Sequence, residues 1–219
     1  MNNKPRNASF CRFARAYHFF EKFLFKDVLE KARFACLDSI HEAKRILIIG
    51  EGDGRFLAKL TSINQNCMIT VMDSSPIMLS MAKSRVPTTF RGTINFCNED
   101  VTTFPFPLEA FDSVVSHFFL DCFTEETLSV LLKTLSSTLC PRGKWLIADF
   151  VEPSPTTLRF IPQFLCLRLL YTFFRFKCGI EARSVVSPHN TLKDLGLKKS
   201  RCINFCNGLL TSLVFIKST

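Results

Sequence analysis

Residues 45–55 read Arg-Ile-Leu-Ile-Ile-Gly-Glu-Gly-Asp-Gly-Arg, and no other stretch narrows the possible folds as far. A short β-rich apolar run bounded by glycine predicts a parallel strand buried on both faces. The glycines then alternate with Glu51 and Asp53, and residues 55–61 open a helical pattern. A glycine turn between a buried strand and a helix lets a ligand reach the backbone, because no Cβ stands in the way. A bare G-x-G-x-G pattern is weak on its own. Its setting is stronger, because a second apolar run, 67–72, ends at Asp73, about 20 residues further on.

The same alternation continues along the chain. Ser75 and Pro76 open a helix with Ile77, Met78, Met81 and Ala82 on its apolar face. Residues 93–97 predict a third strand and 111–116 a fourth. Thr124 then caps a helix whose first turn carries Glu125 and Glu126 and whose inner face carries Leu128, Leu131, Leu132, Leu135 and Leu139. Pro141-Arg142-Gly143 is expected to end that helix, and 144–148 to form a fifth strand reaching Asp149. A long apolar helix is expected around 156–177, and Asn207-Gly208 predicts a hairpin joining 201–207 to 210–217. Helical periodicity also runs through 9–40. The expected fold is α/β: a Rossmann-like, doubly wound, mostly parallel seven-stranded sheet, with a C-terminal antiparallel hairpin and an N-terminal helical cap. The expected division is a cap over 1–42 and a ligand-binding domain over 43–219, forming one structural unit.

Composition excludes some classes. With 219 residues, 47% of them hydrophobic, one well-filled domain is expected and global disorder is not. The net charge of +9 suits acidic partners, but the basic residues are scattered. Their densest groups, Lys4, Arg6, Arg12, Arg15 and Lys198, Lys199, Arg201, read as solvated faces before they read as a nucleic-acid stripe. The 24 phenylalanines reflect either compositional bias or an apolar ligand pocket. Ten cysteines without a C-x-x-C pair fit buried thiols in a reducing cytosol rather than a disulfide scaffold. The polar start lacks a signal-peptide pattern, and Arg159, Pro162, Arg168 and Arg175 interrupt the apolar stretch 158–176. A cytoplasmic protein is expected, peripheral to a membrane at most.

The turn's charge discriminates between ligands. An acid at the second strand's tip can accept both hydroxyls of a ribose, which suits NAD and S-adenosylmethionine (SAM) alike. Dinucleotide sites use G-x-G-x-x-G to seat a pyrophosphate on the helix N-terminus. Carboxylates at Glu51 and Asp53 would repel a pyrophosphate and attract a sulfonium and an α-amino group. The turn therefore favours SAM, and a tight acidic turn without a ligand is the alternative.

Three further segments carry a family resemblance: Asn98-Glu99-Asp100-Val101, Ser116-His117-Phe118, and Leu139-Cys140-Pro141-Arg142-Gly143-Lys144, which is similar to an L-x-P-G-G turn. With the glycine turn they resemble the class I SAM-dependent methyltransferases over 43–219, in particular the small-molecule group of the ubiquinone/menaquinone-biosynthesis type. The resemblance implies SAM as cosubstrate. It places Gly50, Glu51, Gly52 and Gly54 on the methionine part, Asp73 with Ser74 on the ribose, Asp100 and Val101 on the adenine, and His117 and Phe118 near the methyl group. One departure is Ile48, where many members carry an acid, so Glu51 or Asp53 is expected to take over the amino group.

Methyl transfer by SN2 displacement chiefly needs alignment and exclusion of water. Where the acceptor must lose a proton, His117 is the first candidate base, Tyr17 in the cap the second, and Asp121 a residue that orients a partner. Local packing remains the alternative reading of His117, and satisfying backbone donors near a helix start that of Asp121. His18 is a weaker candidate than these, and His41 and His189 carry no motif. The fourth-strand tip lacks the Asn/Asp-Pro-Pro-Tyr of nucleobase amine methyltransferases. Asp149-Phe150 differs from the Asp-Asn of metal-dependent enzymes, so no metal site is expected. The expected partner is a small-molecule acceptor. It would be lipid-like if Phe160, Phe164, Leu165, Leu169, Leu170, Phe173 and Phe174 form a substrate cover, with Arg168 and Arg175 making weak membrane-surface contact. The same helix could simply face the core. RNA- or protein-directed transfer and a SAM-binding module without catalysis are the competing functions, and nucleic acid is disfavoured by the fourth-strand tip.

Overall fold

The computed structural model describes residues 27–151 and 188–219. Tyr17 and the expected helix around 156–177, with its phenylalanines, lie outside them. Strand β1 (Arg45–Ile49) is buried at every position after Arg45, as a central strand covered on both faces must be. It pairs in parallel with β2 (Met68–Met72) on one side and β4 (Phe111–His117) on the other. β3 (Thr93–Cys97) extends the sheet beyond β2, and β5 (Leu139–Phe150) lies beside β4. β6 (Leu197–Phe205) and β7 (Leu210–Lys217) complete seven strands in the order β3-β2-β1-β4-β5-β7-β6. Only β7 runs antiparallel to its neighbours, so the terminal hairpin closes one edge of an otherwise parallel sheet. The order reverses between β1 and β4, the place where doubly wound sheets bind ligands at their carboxyl ends.

Each face of the sheet carries its own core. Ile46, Ile48, Ile69, Val71, Val115 and Leu146 pack under α2 (Arg55–Ile63), whose Phe56, Leu57 and Leu60 are fully buried. Leu79 and Ala82 of α3 (Pro76–Ser84) join the same cluster. On the opposite face Leu47, Ile49, Val114, Trp145 and Ile147 meet the leucines of α4 (Glu125–Thr138) and Leu192 of α5 (His189–Asp194). The helix α1 (Val28–Phe34) docks through buried Leu29 and Ala32, and the Ser212 hydroxyl donates to the Ala32 carbonyl at 2.6 Å. Among the described residues no helix is long and apolar enough to cross a membrane.

Local signals place most boundaries. Ser75 and Thr124 each accept a hydrogen bond from the backbone N–H three residues on, as N-caps do. Other boundaries differ from expectation. The chain leaves α4 already extended at Leu139, so Pro141-Arg142-Gly143 lies inside β5 rather than before it. Arg142 takes φ 63°, and the pairing with β4 slips between Phe111 and Ser113, so the proline is absorbed by a bulge. β6 starts four residues earlier than the expected 201–207, because antiparallel pairing with β7 carries Leu197 opposite Lys217. Asn207 takes φ 55° in the turn before β7, the conformation its side chain tolerates.

Candidate active site

The turn after β1 holds Gly50, Gly52 and Gly54 at φ 63°, 70° and 87°. Two of these glycines serve packing. A Cβ on Gly50 would overlap the Phe119 ring, and one on Gly54 would overlap the Ala82 backbone of α3. Gly52 is different, because among the described residues a Cβ there would meet nothing within 4 Å. Its bare backbone faces open space at the carboxyl end of the sheet, which is the geometry a ligand needs for close approach.

Glu51 and Asp53 divide the turn's charge unequally. Glu51 is buried, and its Oε1 accepts the Leu57 N–H at 2.9 Å. It thereby caps α2, whose own N-cap, Gly54, has no side chain. Burial pushes its carboxyl up to about 7, opposed by the Leu57 N–H and by Arg33. Asp53, expected on the cationic part of the ligand, is instead held between two guanidiniums: Arg55 Nε at 3.0 Å and Arg85 Nη2 at 3.1 Å. These pairs tie the turn to the end of α3 and cancel the Asp53 charge. Glu51 is left as the turn's uncancelled acid, and Ile48 is core.

Asp73 follows the end of β2 beside Gly52. Its Oδ1 accepts the Ser75 N–H at 2.9 Å, and the Gly52 N–H also points at the carboxylate. Burial raises it to about 6 despite those two donors. Asn98 Nδ2 donates to the Asp73 carbonyl at 3.0 Å, so the tip of β3 is fastened to the tip of β2. Ser74 is exposed alongside. Asp100 is also exposed, and its Oδ1 accepts from the N–H and hydroxyl of Thr102 at 2.9 and 2.7 Å. Val101 sends its side chain into the core. Glu51, Gly52, Asp73 and Asp100 thus follow the ends of β1, β2 and β3, which are neighbours in the sheet.

The tips of β4 and β5 carry a different chemistry. His117 is buried with its ring edge-to-face on Phe56 at 4.6 Å. Desolvation, helped by Arg33, holds its imidazole down to about 3, so it is neutral at pH 7 and a weak proton acceptor. Phe118 adopts φ 53°, uncommon for an aromatic residue, and its N–H donates to the Ala148 carbonyl at 2.7 Å. The Arg33 guanidinium sits 5.2 Å above the Phe118 ring, while Phe150 lies 5.6 Å to its side. Phe119 and Phe123 form a second ring pair at 5.1 Å. Asp149, at the end of β5, is buried in contact with Asp121, and burial together with that neighbour raises its carboxyl well above the usual range.

Sequence reading passed over Arg33 and gave Asp149 only a negative role, as evidence against a metal site. Arg33 follows Leu29 by four residues and so falls on the buried stripe of α1, the one signal that could have marked it. Nothing local marks Asp149 as the partner of Asp121.

Comparison with known proteins agrees with this fold. The family description "Methyltransferase domain" matches residues 46–143. The ubiquinone/menaquinone biosynthesis C-methyltransferase UbiE of Teredinibacter turnerae is 25% identical over 124 residues, which is 56% of this chain and 49% of the relative. The chain thus spans about half the length of the curated relatives it matches. The N-methyltransferase NodS of Bradyrhizobium japonicum, solved with S-adenosylhomocysteine (SAH), superposes with a TM-score of 0.62 at 18% identity, covering 87% of this chain and 88% of that one. Human N-acetylserotonin methyltransferase, solved with SAM, gives 0.63 at 19% identity, covering 95% and 55%.

Proposed function

We propose that this chain carries a class I SAM-dependent methyltransferase domain, with SAM as its cosubstrate, and that it transfers the SAM methyl group by direct displacement to a small, apolar acceptor. The observation that carries this reading is the pairing of an open, left-handed Gly52 with the Asp73 carboxyl beside it. A ribose diol can replace water on that carboxylate while the methionine part passes over Gly52. Glu51 supplies the negative charge for the amino group or sulfonium, and Arg33, which acts on Glu51 and His117, supplies a cation at the same end. Asp100 and Val101 mark the adenine end.

The donor's methyl group then points from the ribose at β2 across the switch point towards β4. His117 and Phe118 stand there, and the rings of Phe118, Phe119, Phe123 and Phe150 favour an apolar acceptor. In-line displacement makes SAM a neutral thioether, so the protein's contribution is alignment and a dry path rather than charge creation. Calorimetric titration with SAH tests the reading. Saturable micromolar binding that Asp73→Ala weakens about 100-fold is expected, and no heat with either SAM or SAH overturns it.

A further inference from the structure

We propose that Asp121 and Asp149 together form the proton acceptor for the methyl-receiving molecule, binding a hydroxyl group of that molecule and taking its hydrogen as the methyl arrives. This rests on the methyltransferase reading above. Asp149 follows Ala148, which lies opposite His117 in the sheet, so it stands at the strand ends where the acceptor must lie. Asp121 comes from the 3-10 turn Leu120–Cys122, which begins three residues after the end of β4 and contacts β5. The two side chains are in hydrogen-bonding contact. Asp149 is only 5% exposed; the Phe150 and Asp121 N–H groups donate to its carboxyl, but among the described residues its buried Oδ1 has no hydrogen-bond partner. A buried carboxyl oxygen with no donor is rare enough to call for a ligand or a function.

The chemistry follows from burial. Two carboxyls in contact cannot both ionise away from water, so the pair holds one proton and one negative charge. Cys122 Sγ donates to Asp121 Oδ1 at 3.6 Å, which helps retain the charge on Asp121. A monoanionic pair can take up one more proton and become neutral, and in a buried site that step is favourable. His117 is poorly suited to the task because its imidazole is held down to about 3.

The acceptor class follows as well. A protonated amine would bind the anionic pair as a cation and be kept protonated, with no lone pair for the methyl group. A hydroxyl arrives neutral and becomes a nucleophile only as it loses its hydrogen. In the step, the sulfonium C–S bond breaks and its electrons stay on sulfur. The new O–CH3 bond forms from the acceptor oxygen, and the hydroxyl proton moves to the carboxyl pair and later to water.

The full chain with Asp149→Asn and Asp121→Asn provides the test, with phenol and benzylamine as probes. Infrared difference spectra need no turnover. Wild-type protein at neutral pH should show the carbonyl band of a protonated carboxylic acid that Asp149→Asn lacks, and phenol should shift it. Methyl transfer from SAM should reach phenol but not benzylamine, and transfer to phenol should fall about 100-fold in Asp149→Asn, with SAH affinity changed less than about twofold. A missing band, a band that survives Asp149→Asn, no shift with phenol, transfer to benzylamine rather than phenol, or undiminished transfer in both variants overturns the proposal. Absence of SAH binding in wild type would instead overturn the methyltransferase reading, because the band reports on the carboxyl pair with or without donor.

Discussion

The carboxyl end of the sheet has two halves built in opposite ways. The half over β1, β2 and β3 is made largely of backbone: a bare Gly52, N–H groups of Gly52 and Ser75 aimed at Asp73, and an Asn98 amide tying adjacent strand tips. The half over β4 and β5 is made of side chains drawn from distant segments, with Arg33 over Phe118 and Asp121 against Asp149. The first half suits a ligand of fixed shape, since backbone position cannot drift without unfolding the turn. The second suits a variable ligand, since side chains change without disturbing strand geometry.

Substitutions in the first half provide the sharpest break between the two. Asp73→Ala should weaken SAH binding about 100-fold, or about 2.7 kcal/mol, because two hydroxyl hydrogens lose a charged acceptor. Calorimetry checks this, and an unchanged affinity would mean that the ribose lies elsewhere. Next in size is a contrast within the turn itself. Gly54→Ala should destabilise the fold by about 2 to 4 kcal/mol, because the new methyl group meets the Ala82 backbone and the residue sits at φ 87°. Gly52→Ala should cost only about 1 kcal/mol of stability, for its positive φ, yet weaken donor binding about tenfold. Urea unfolding beside SAH titration separates the two effects, and equal stability losses would erase the distinction between a packing glycine and a ligand-facing one.

Titration sharpens the comparison with smaller effects. Burial raises Glu51 from 4.5 to about 7 and Asp73 from 3.8 to about 6, so the folded protein binds more protons than the unfolded chain between those ordinary and raised values. Stability of the ligand-free protein should therefore fall as pH rises through that window. Glu51→Gln should flatten the slope, as urea midpoints at pH 5 and pH 7.5 would show. SAH affinity should run the other way, weakening as pH falls below about 6 and Asp73 takes up its proton. The smallest effect belongs to the second half. Arg33→Met should let His117 titrate at a slightly higher pH in NMR spectra, since Arg33 is the lesser cause of its depression and burial the greater.

The difference between the halves also decides what could be read without coordinates. The glycine turn, the capped starts of α3 and α4 and the Asp73 strand end were legible, because each depends on dihedral preferences or hydrogen bonds within a few residues. The exit from α4 was misread because Pro141 and Gly143 signal a turn locally, while pairing with β4 makes them a bulge. Asp53 was misread for a related reason. Its acidity is local, but Arg85, which helps neutralise it, comes from the end of another helix.

The succession of strands and helices along the chain, the glycine turn after β1 and the acid closing β2 were determined by the chain's own pattern of apolar runs, glycines and caps. Which carboxyls stay charged, which imidazole stays neutral and which acids share a proton were decided only by the tertiary structure. Desolvation and charge coupling depend on what is packed beside a group, and for Glu51, His117 and Asp149 those neighbours come from other parts of the chain.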